Sequence, residues 1–284
     1  MSYTTLLVHV DNSRHCAQRV RLAVRLALAE GAHLIGSAMS GISRYAYGGG
    51  VNALQFAPAQ MQALRGQASD ALHDFERIAR EEGLATYETR FVDDDAQGAL
   101  LLQARYCDLL ILGQTDPQDT PSRVIAGTPE YLMLHCGRPV LMVPHVPHAL
   151  STAPAAIAQH PLLAWNGSAE ALRAITDALP LLRRARQVTL AVVNSYQHSA
   201  THGEQPGADL ALYLARHGVN VDVLQHDTPP GQDVGAALLA MAAQRQCDLL
   251  VMGCYGHMRL RETLLGGVTR TVLQEMTLPV LVSH

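Results

Sequence analysis

The chain has 284 residues, of which 48% are hydrophobic and 16% are charged, a composition that excludes wholesale disorder. All 21 basic residues are arginines, so the chain has neither a P-loop lysine nor a lysine that could form a Schiff base. The net charge of −4 provides no general attraction to nucleic acid or to an anionic membrane.

Cysteine content and hydropathy indicate the cellular compartment. The five cysteines are odd in number and include no C-x-x-C pair, which favours a reduced, intracellular protein without a disulfide framework. The N-terminal sequence MSYTTLLVHVDNS resembles no targeting signal, and no apolar run reaches the length of a membrane span. We therefore expect a soluble, cytoplasmic protein that binds neither nucleic acid nor membrane.

Strand and helix patterns alternate along the first half. Short apolar runs predict strands at residues 6–10, 33–39, 87–92, 108–112 and 139–143. The first helix follows the N-cap signal at residues 11–13 and ends at Gly31. A long amphipathic helix is predicted over residues 58–83, and shorter helices over residues 95–105 and after Thr128.

The second half repeats this pattern. Residues 106–113 read YCDLLILG and residues 246–253 read QCDLLVMG, an offset of 140 that holds through the closing PVL of each half. The beginnings of the halves match at an offset of 155, where TTLLVHVDNS resembles HPLLAWNGS. We predict two homologous domains, residues 1–148 and 158–284, joined by the weakly patterned segment 149–158.

The predicted architecture follows from the apolar strands. In the second half they lie near residues 162–165, 188–193, 219–225, 248–252 and 279–283. Continuous apolar strands separated by helices favour a parallel sheet that is covered on both faces. We therefore predict an α/β fold of two tandem doubly wound, Rossmann-like domains, each a five-stranded parallel sheet with helices on both faces. Ligands of such sheets bind beyond the carboxyl ends of the strands.

The turn after the strand that ends at Gly253 carries the densest set of candidate binding residues. Gly256 follows three residues later, and Gly266 and Gly267 precede a helix. Such glycines let the backbone approach a ligand closely, and a helix N-terminus favours an anion. The segment predicts a phosphate site made of backbone groups, with His257 as a further candidate contact; a purely structural glycine turn is the alternative.

With these motifs the sequence resembles the universal stress protein (UspA) family in its tandem form. Gly253, Gly256 and Gly266 fall on the family's G-x2-G-x9-G-[ST] motif. Residues 10–13 (VDNS) match its V-D-x-S turn, and residues 248–253 match its D-L-[IV]-V-M-G strand. The resemblance extends twice over nearly the whole chain.

The resemblance implies a fold related to the adenine nucleotide α-hydrolases that binds ATP with Mg²⁺ in the second domain. It implies a role in the stress response without dedicated catalysis, with which weak ATP hydrolysis is compatible. The glycines would line the ribose and phosphates, Asn166 would face the nucleoside, and Val193 would offer its backbone to the adenine. The candidate site comprises Asn166, Val193, Gly253, Gly256, His257, Gly266, Gly267 and Val268.

Each half departs from the family pattern. In the second half Asn166 replaces the aspartate that ends the first strand, and Gly267 replaces the motif's Ser/Thr. The first half keeps Asp11, but Asp116 and Ala126 replace its second and third glycines, and a carboxylate there would repel phosphate. These changes predict a weakened nucleotide site in the second half and a silent one in the first. The alternative is a nucleotide-free tandem scaffold in which both sites have eroded.

The family resemblance also has implications for how the domains associate. In this family domains associate through their last strands, which implies that the two PVL strands pair in an intramolecular pseudo-dimer. A homodimer of the chain is left open by the sequence, and so is the identity of a protein partner.

The remaining polar motifs have simpler explanations. Two histidine pairs have metal-site spacing, His145 with His148 and His198 with His202. Neither has a cysteine or acidic partner at such spacing, so we predict loop histidines and no metal site. Ser13 and Ser168 follow the first strands and are predicted helix N-caps rather than nucleophiles. The acidic run at residues 93–95 is predicted to be a solvated turn, and no residue is predicted to be catalytic.

Overall fold

The computed structural model describes residues 2–42, 58–119, 127–146, 157–195, 205–254 and 266–284. They form two units, residues 2–138 and residues 139–284. Segment 139–146, which the sequence repeat assigns to the first half, therefore lies in the second unit. Within the part of the chain that the structure describes, no helix is long and apolar enough to cross a membrane.

The first unit contains a parallel sheet with the strand order β3-β2-β1-β4. Its strands are β1 (Thr5–Val10), β2 (His33–Met39), β3 (Tyr87–Val92) and β4 (Leu109–Gly113). Its helices are α1 (Cys16–Glu30), α2 (Pro58–Glu81), α3 (Ala96–Ala104) and α4 (Thr128–His135). Four consecutive side chains of β4 are buried, although they alternate between the two faces, so both faces are covered. The strands predicted for this unit are confirmed.

The second unit has the strand order β8-β7-β6-β9-β10-β5. Its strands are β5 (Val140–Val143), β6 (Pro161–Trp165), β7 (Val188–Val193), β8 (Val221–His226), β9 (Leu249–Gly253) and β10 (Val280–Ser283). Its helices are α5 (Ala169–Asp177), α6 (Leu179–Leu182), α7 (Ala208–Arg216), α8 (Val234–Gln244) and α9 (Gly267–Glu275). All neighbouring strands are parallel except β5, which runs antiparallel to β10 with Leu141 opposite Leu281. The expected pairing of the two PVL strands is therefore confirmed.

Strand register confirms the sequence repeat. Leu6 of β1 lies opposite Leu109 of β4, and Pro161 of β6 lies opposite Leu249 of β9. The steps from Leu6 to Pro161 and from Leu109 to Leu249 are 155 and 140 residues, the two offsets found in the sequence. Residues of the two units can therefore be compared position by position.

An aspartate at the start of the same strand has one structural role in both units. Asp108 Oδ2 accepts hydrogen bonds from the backbone N–H groups of Thr4 at 2.7 Å and Thr5 at 2.9 Å. Asp248 accepts from the N–H groups of Gln159 at 2.7 Å and His160 at 2.9 Å. Each carboxylate ties the beginnings of two neighbouring strands together, so this motif residue supports the sheet and lies at the end opposite to the strands' carboxyl termini.

The two predicted serine caps differ. Ser168 caps α5, because its side chain accepts a hydrogen bond from Ala171 N at 3.1 Å. Ser13 does not cap α1: its hydroxyl donates to Asp11 Oδ1 at 2.5 Å, and no side chain caps this helix among the described residues. The prediction for Ser13 is wrong because α1 begins only at Cys16, so that its N-cap position is His15 and not Ser13.

Candidate functional site

A cavity of about 380 Å³ lies at the carboxyl ends of β6, β7 and β9 in the second unit. Six of the eight predicted site residues line it: Asn166, Val193, Gly253, Gly266, Gly267 and Val268. The other two, Gly256 and His257, lie outside the described residues. The predicted site residues that the structure describes are thus all brought together at one place.

Gly253 is required for packing. A Cβ on this residue would overlap the backbone of Glu170 and Ala171 at the start of α5. The absence of a side chain lets the first turn of α5 approach the end of β9, with Ala171 also lining the cavity. The sequence predicts that Gly253 lets a ligand approach closely, and the structure adds a second reason for a glycine here, the packing of α5 against β9.

Gly266 and Gly267 leave space at the beginning of α9. A Cβ on either residue would meet nothing within 4 Å among the described atoms. Gly266 is the N-cap residue, no side chain caps α9 among the described residues, and its first turn contains no acidic residue. Since the first N–H groups of a helix lack intrahelical acceptors, this helix end favours an anion.

Asn194 follows β7 and lines the cavity, although the sequence interpretation missed it. Its backbone is left-handed, with φ of +53°, and only 6% of the residue is exposed. Its Nδ2 donates to Thr228 Oγ1 at 2.8 Å, and its Oδ1 accepts from Thr228 N at 2.8 Å. Asn194 therefore fixes the segment after β8 against the end of β7, next to Val193. An asparagine directly after an apolar strand was the available signal, because asparagine tolerates φ above zero.

Trp165 and Thr269 also line the cavity without having been predicted. Trp165 is the only tryptophan in the chain, is partly buried and precedes Asn166 at the end of β6. Thr269 is 4% exposed and brings a hydroxyl to the first turn of α9, two residues after Gly267. A hydroxyl at this helix end is therefore retained, although the position that the motif assigns to it is a glycine.

The described lining is uncharged. The apolar part consists of Ala164, Trp165, Ala171, Ala191, Val193, Val234, Leu238, Met252 and Val268. Side-chain polarity comes from Asn166, Asn194 and Thr269. Asn166 is exposed, and its Oδ1 accepts a hydrogen bond from Ser168 N at 3.1 Å, which fixes the turn between β6 and α5. Such a cavity suits a flat, weakly polar group with an anionic substituent at the start of α9.

The equivalent place in the first unit contains an ion pair. Arg19 of α1 is 3% exposed; its Nη2 donates to Asp11 Oδ1 at 2.8 Å and its Nε to the carbonyl of His9 at 2.8 Å. Burial alone would raise the pKa of the Asp11 carboxyl, but the Arg19 guanidinium, His9 and the hydrogen bonds from Ser13 together outweigh burial and hold that pKa well below its usual range. Burial lowers the pKa of His9 to about 4, and Nδ1 of its ring lies 3.5 Å from Asp11 Oδ2.

The loop after β4 also brings carboxylates to the beginning of α1. Asp116 is 5% exposed, and its Oδ2 lies 3.1 Å from His15 Nε2. Asp119 is 8% exposed and accepts a hydrogen bond from Arg14 N at 3.0 Å. The expectation that Asp116 places negative charge at this site agrees with the geometry. Ala126 lies outside the described residues.

The other candidates have structural roles where they are described. Asp95 caps α3 by accepting from Gly98 N at 2.8 Å, and Asp93 pairs with Arg65 at 2.6 Å. Asp94 is buried, so the acidic run is not wholly solvated as predicted; its backbone carbonyl accepts from Gly41 N. Across the described ranges, no three metal-ligating side chains cluster. Three of the four predicted loop histidines, His148, His198 and His202, lie outside the described residues.

The cysteines are free thiols, and burial raises the pKa of the Cys107 thiol to about 12 and that of the Cys247 thiol to about 11. A raised thiol pKa leaves little thiolate at neutral pH. Cys254, directly after Gly253, is fully buried, and its Sγ donates to the Ser283 carbonyl. These thiols pack as small apolar groups.

The α/β units, with a cavity beyond the carboxyl ends of parallel strands in the second, belong to the doubly wound class of folds, in which ligands bind at this edge of the sheet. The model of the universal stress protein family matches residues 2–144 and residues 159–284. The chain belongs to the universal stress protein family, and it contains two such domains in tandem. No functionally curated protein shows a significant sequence match to it.

Two solved structures share the fold over nearly the whole chain at low sequence identity, and a third matches half of the chain. A universal stress protein from Archaeoglobus fulgidus DSM 4304 is 15% identical with a TM-score of 0.71, over 98% of this chain and 95% of that one. A putative universal stress protein from Pseudomonas aeruginosa UCBPP-PA14 is 18% identical with a TM-score of 0.59, over 99% and 93%. Another from Archaeoglobus fulgidus, solved in complex with dAMP, is 15% identical with a TM-score of 0.36, over 50% and 98%.

Proposed function

We propose that the second unit binds an adenine nucleotide, with ATP as the expected ligand, and that the chain is a regulatory protein of the stress response without dedicated catalysis. The observation that carries the proposal is the cavity that brings Asn166, Val193, Gly253 and the start of α9 together at the carboxyl ends of three strands. Its place in the fold is where doubly wound sheets bind ligands.

The apolar wall fits the base. Val193, Leu238 and Met252 present aliphatic surface, and Trp165 adds the one indole ring of the chain. Flat aromatic ligands are favoured by such surfaces, and a few polar groups then fix their orientation. Asn194 holds the end of β7 in one conformation, so the backbone beside Val193 is pre-organised for the edge of an adenine.

The phosphates are assigned to the beginning of α9. Gly266 and Gly267 leave room there, and Thr269 supplies a hydroxyl in the same turn. Within the described part of the lining, which has no cationic side chain, the group that attracts phosphate is the helix N-terminus. Mg²⁺ would be carried by the phosphates of ATP, an arrangement that needs no dedicated protein site.

Fluorescence of Trp165 and calorimetry test the proposal on the intact chain. We expect ATP, AMP and adenosine each to change the emission of this single tryptophan in a saturable way. Gly267→Asp places a carboxylate in the first turn of α9, where a negative charge stabilises the helix but repels phosphate. ATP affinity should fall at least about tenfold, which is about 1.4 kcal/mol, whereas adenosine affinity should be nearly unchanged.

Gly267→Asn is the matched control, because it has the same shape without the charge and should retain most ATP binding. If ATP and adenosine weaken equally in Gly267→Asp, the assignment of phosphate to α9 is wrong. If no nucleotide binds and none is released from purified protein by heat, the nucleotide-free scaffold is the correct function. The replacement of the family's aspartate by Asn166 and of its Ser/Thr by Gly267 is the observation that favours this second candidate.

A further inference from the structure

Arg19 is a buried cation at a position where the second unit has an alanine. The offset of 155 residues that relates β1 to β6 relates Arg19 to Ala174, which is fully buried in α5. Its guanidinium makes two hydrogen bonds of 2.8 Å, to the His9 carbonyl and to Asp11. A Cβ on Gly113 would overlap its Nη1, so the guanidinium lies directly against the end of β4.

The three residues that Arg19 touches are counterparts of residues that line the cavity of the second unit. By the two register offsets, His9 corresponds to Ala164, Asp11 to Asn166 and Gly113 to Gly253. All three of those second-unit residues line the cavity. The Arg19 side chain therefore contacts positions whose counterparts line the cavity of the second unit.

We propose that the Arg19 side chain occupies the ligand site of the first unit, so that this site is filled without a nucleotide. Asp11 then acts as the counterion of Arg19 and not as a contact for a nucleoside. This inference concerns the first unit and needs the proposed function only for the choice of probe.

Two carboxylates from the loop after β4 also lie at this place in the first unit. Asp116 and Asp119 lie in the loop after β4, at positions that correspond in sequence to Gly256 and Arg259 of the second half. Asp119 accepts the hydrogen bond of Arg14 N, and Asp116 lies beside His15, so both reach the beginning of α1. Two carboxylates of the chain thus lie at the beginning of α1, where the N-terminus of the helix favours an anion.

Removing the ion pair as a whole tests the proposal. Asp11→Asn with Arg19→Ala copies the residues of the second unit and leaves neither charge buried alone, which would itself be destabilising. Asp11→Asn with Arg19→Met is the matched control, because methionine removes the charge and keeps most of the volume. Adenosine is the probe, since it has no phosphate for Asp116 to repel.

We expect calorimetry to find one more adenosine site per chain in the alanine double variant than in the wild type, and no additional site in the methionine double variant. The added site should give no further change in Trp165 emission, because the only tryptophan lies in the second unit. If the second unit proves not to bind, the count should rise from zero to one, so the two proposals can fail separately.

Two results would overturn the proposal: wild-type protein that binds adenosine at two sites, or a folded alanine double variant that binds no more than the methionine variant. Chemical rescue supplies a second test, because Arg19→Ala keeps the Asp11 carboxylate and should be destabilised until an added cation pairs with it. Millimolar methylguanidinium should then raise the melting temperature of Arg19→Ala by several degrees and leave that of the wild type unchanged. Equal responses of the two proteins would also contradict the occupancy.

Discussion

Asn194 and Thr228 are joined by two 2.8 Å hydrogen bonds across the carboxyl ends of β7 and β8. One uses the Thr228 hydroxyl and the other its backbone N–H, so the asparagine amide is satisfied on both sides. Because Asn194 also has a left-handed backbone, its conformation is maintained by this pair at the edge of the cavity. Such strain is commonly found at binding sites, where the surrounding structure holds it in place.

Replacing Asn194 should separate the effect of the backbone from that of the amide. Asn194→Ala loses both hydrogen bonds and keeps an unfavourable φ, and we expect it to cost about 2–3 kcal/mol in urea unfolding. Asn194→Gly loses the same hydrogen bonds but accepts φ of +53°, so its cost should be smaller by about 1 kcal/mol. Both variants should bind adenosine more weakly. Equal stabilities of the two variants would show that the backbone conformation relaxes.

Two glycines of the site should respond differently to alanine. Gly253→Ala forces a Cβ into the backbone of Glu170 and Ala171, which cannot move aside as a flexible side chain can. We expect it to destabilise the protein by about 2–3 kcal/mol. Gly266→Ala is the control, since its Cβ would meet open space, and it should lie within about 0.5 kcal/mol of the wild type. Thermal unfolding of both variants measures this difference. An equal loss of stability in the two variants would contradict the prediction.

His9 should make the stability depend on pH. Its pKa is about 4 in the folded protein because it is buried, against 6.5 when exposed, and it faces Asp11 and Arg19. As the pH falls below 6.5, the unfolded chain takes up a proton that the folded chain does not, so this part of the stability is lost progressively down to about pH 4. Between pH 7 and pH 5 the loss should be about 2 kcal/mol.

His9→Gln should remove this dependence, because glutamine does not titrate. The depressed pKa of Asp11 gives stability that is lost as the pH falls through the usual pKa of an aspartate toward the lower folded pKa, so most of this loss lies below the window of His9. Urea unfolding at the two pH values, for wild type and variant, measures the difference. If both proteins lose the same free energy, His9 is not the titrating group.

The serines after the first strands provide a test of capping. Ser168→Ala removes the acceptor for Ala171 N and should cost about 1 kcal/mol, whereas Ser168→Asp should retain most of the stability. Ser13→Ala removes no cap from α1, and its effect should instead appear through Asp11, to which its hydroxyl donates. The loss of stability caused by Ser13→Ala should therefore be smaller in the Asp11→Asn background, as a double-mutant cycle would show. Strict additivity of the two changes would contradict this coupling.

The fold could be predicted from the sequence because local patterns determine it. Buried parallel strands appear as continuous apolar runs, and the repeated CDLL segments fix the same register in both halves. The described candidate residues line one cavity for the same reason, since the carboxyl ends of the strands come together in any doubly wound sheet. What the sequence predicted about Asn166, Val193 and the glycines was their location.

Contacts between distant residues could not be predicted. Arg19 occupies a helix position beside the apolar stripe, and its burial depends on Gly113, which follows it by nearly a hundred residues. Asn194 depends in the same way on Thr228, which belongs to the next strand connection. Gly253 was assigned to ligand approach because the crowding of α5 against β9 is not visible in a single sequence.

The antiparallel pair of β5 and β10 has a consequence for dissection of the chain. The second family match begins at residue 159, but the second unit begins at residue 139, because β5 pairs with β10. A fragment of residues 159–284 would leave Val280, Leu281 and Val282 with an uncovered hydrogen-bonding edge, which invites self-association. A fragment that keeps this edge of β10 paired therefore starts ahead of β5, twenty residues before the second family match.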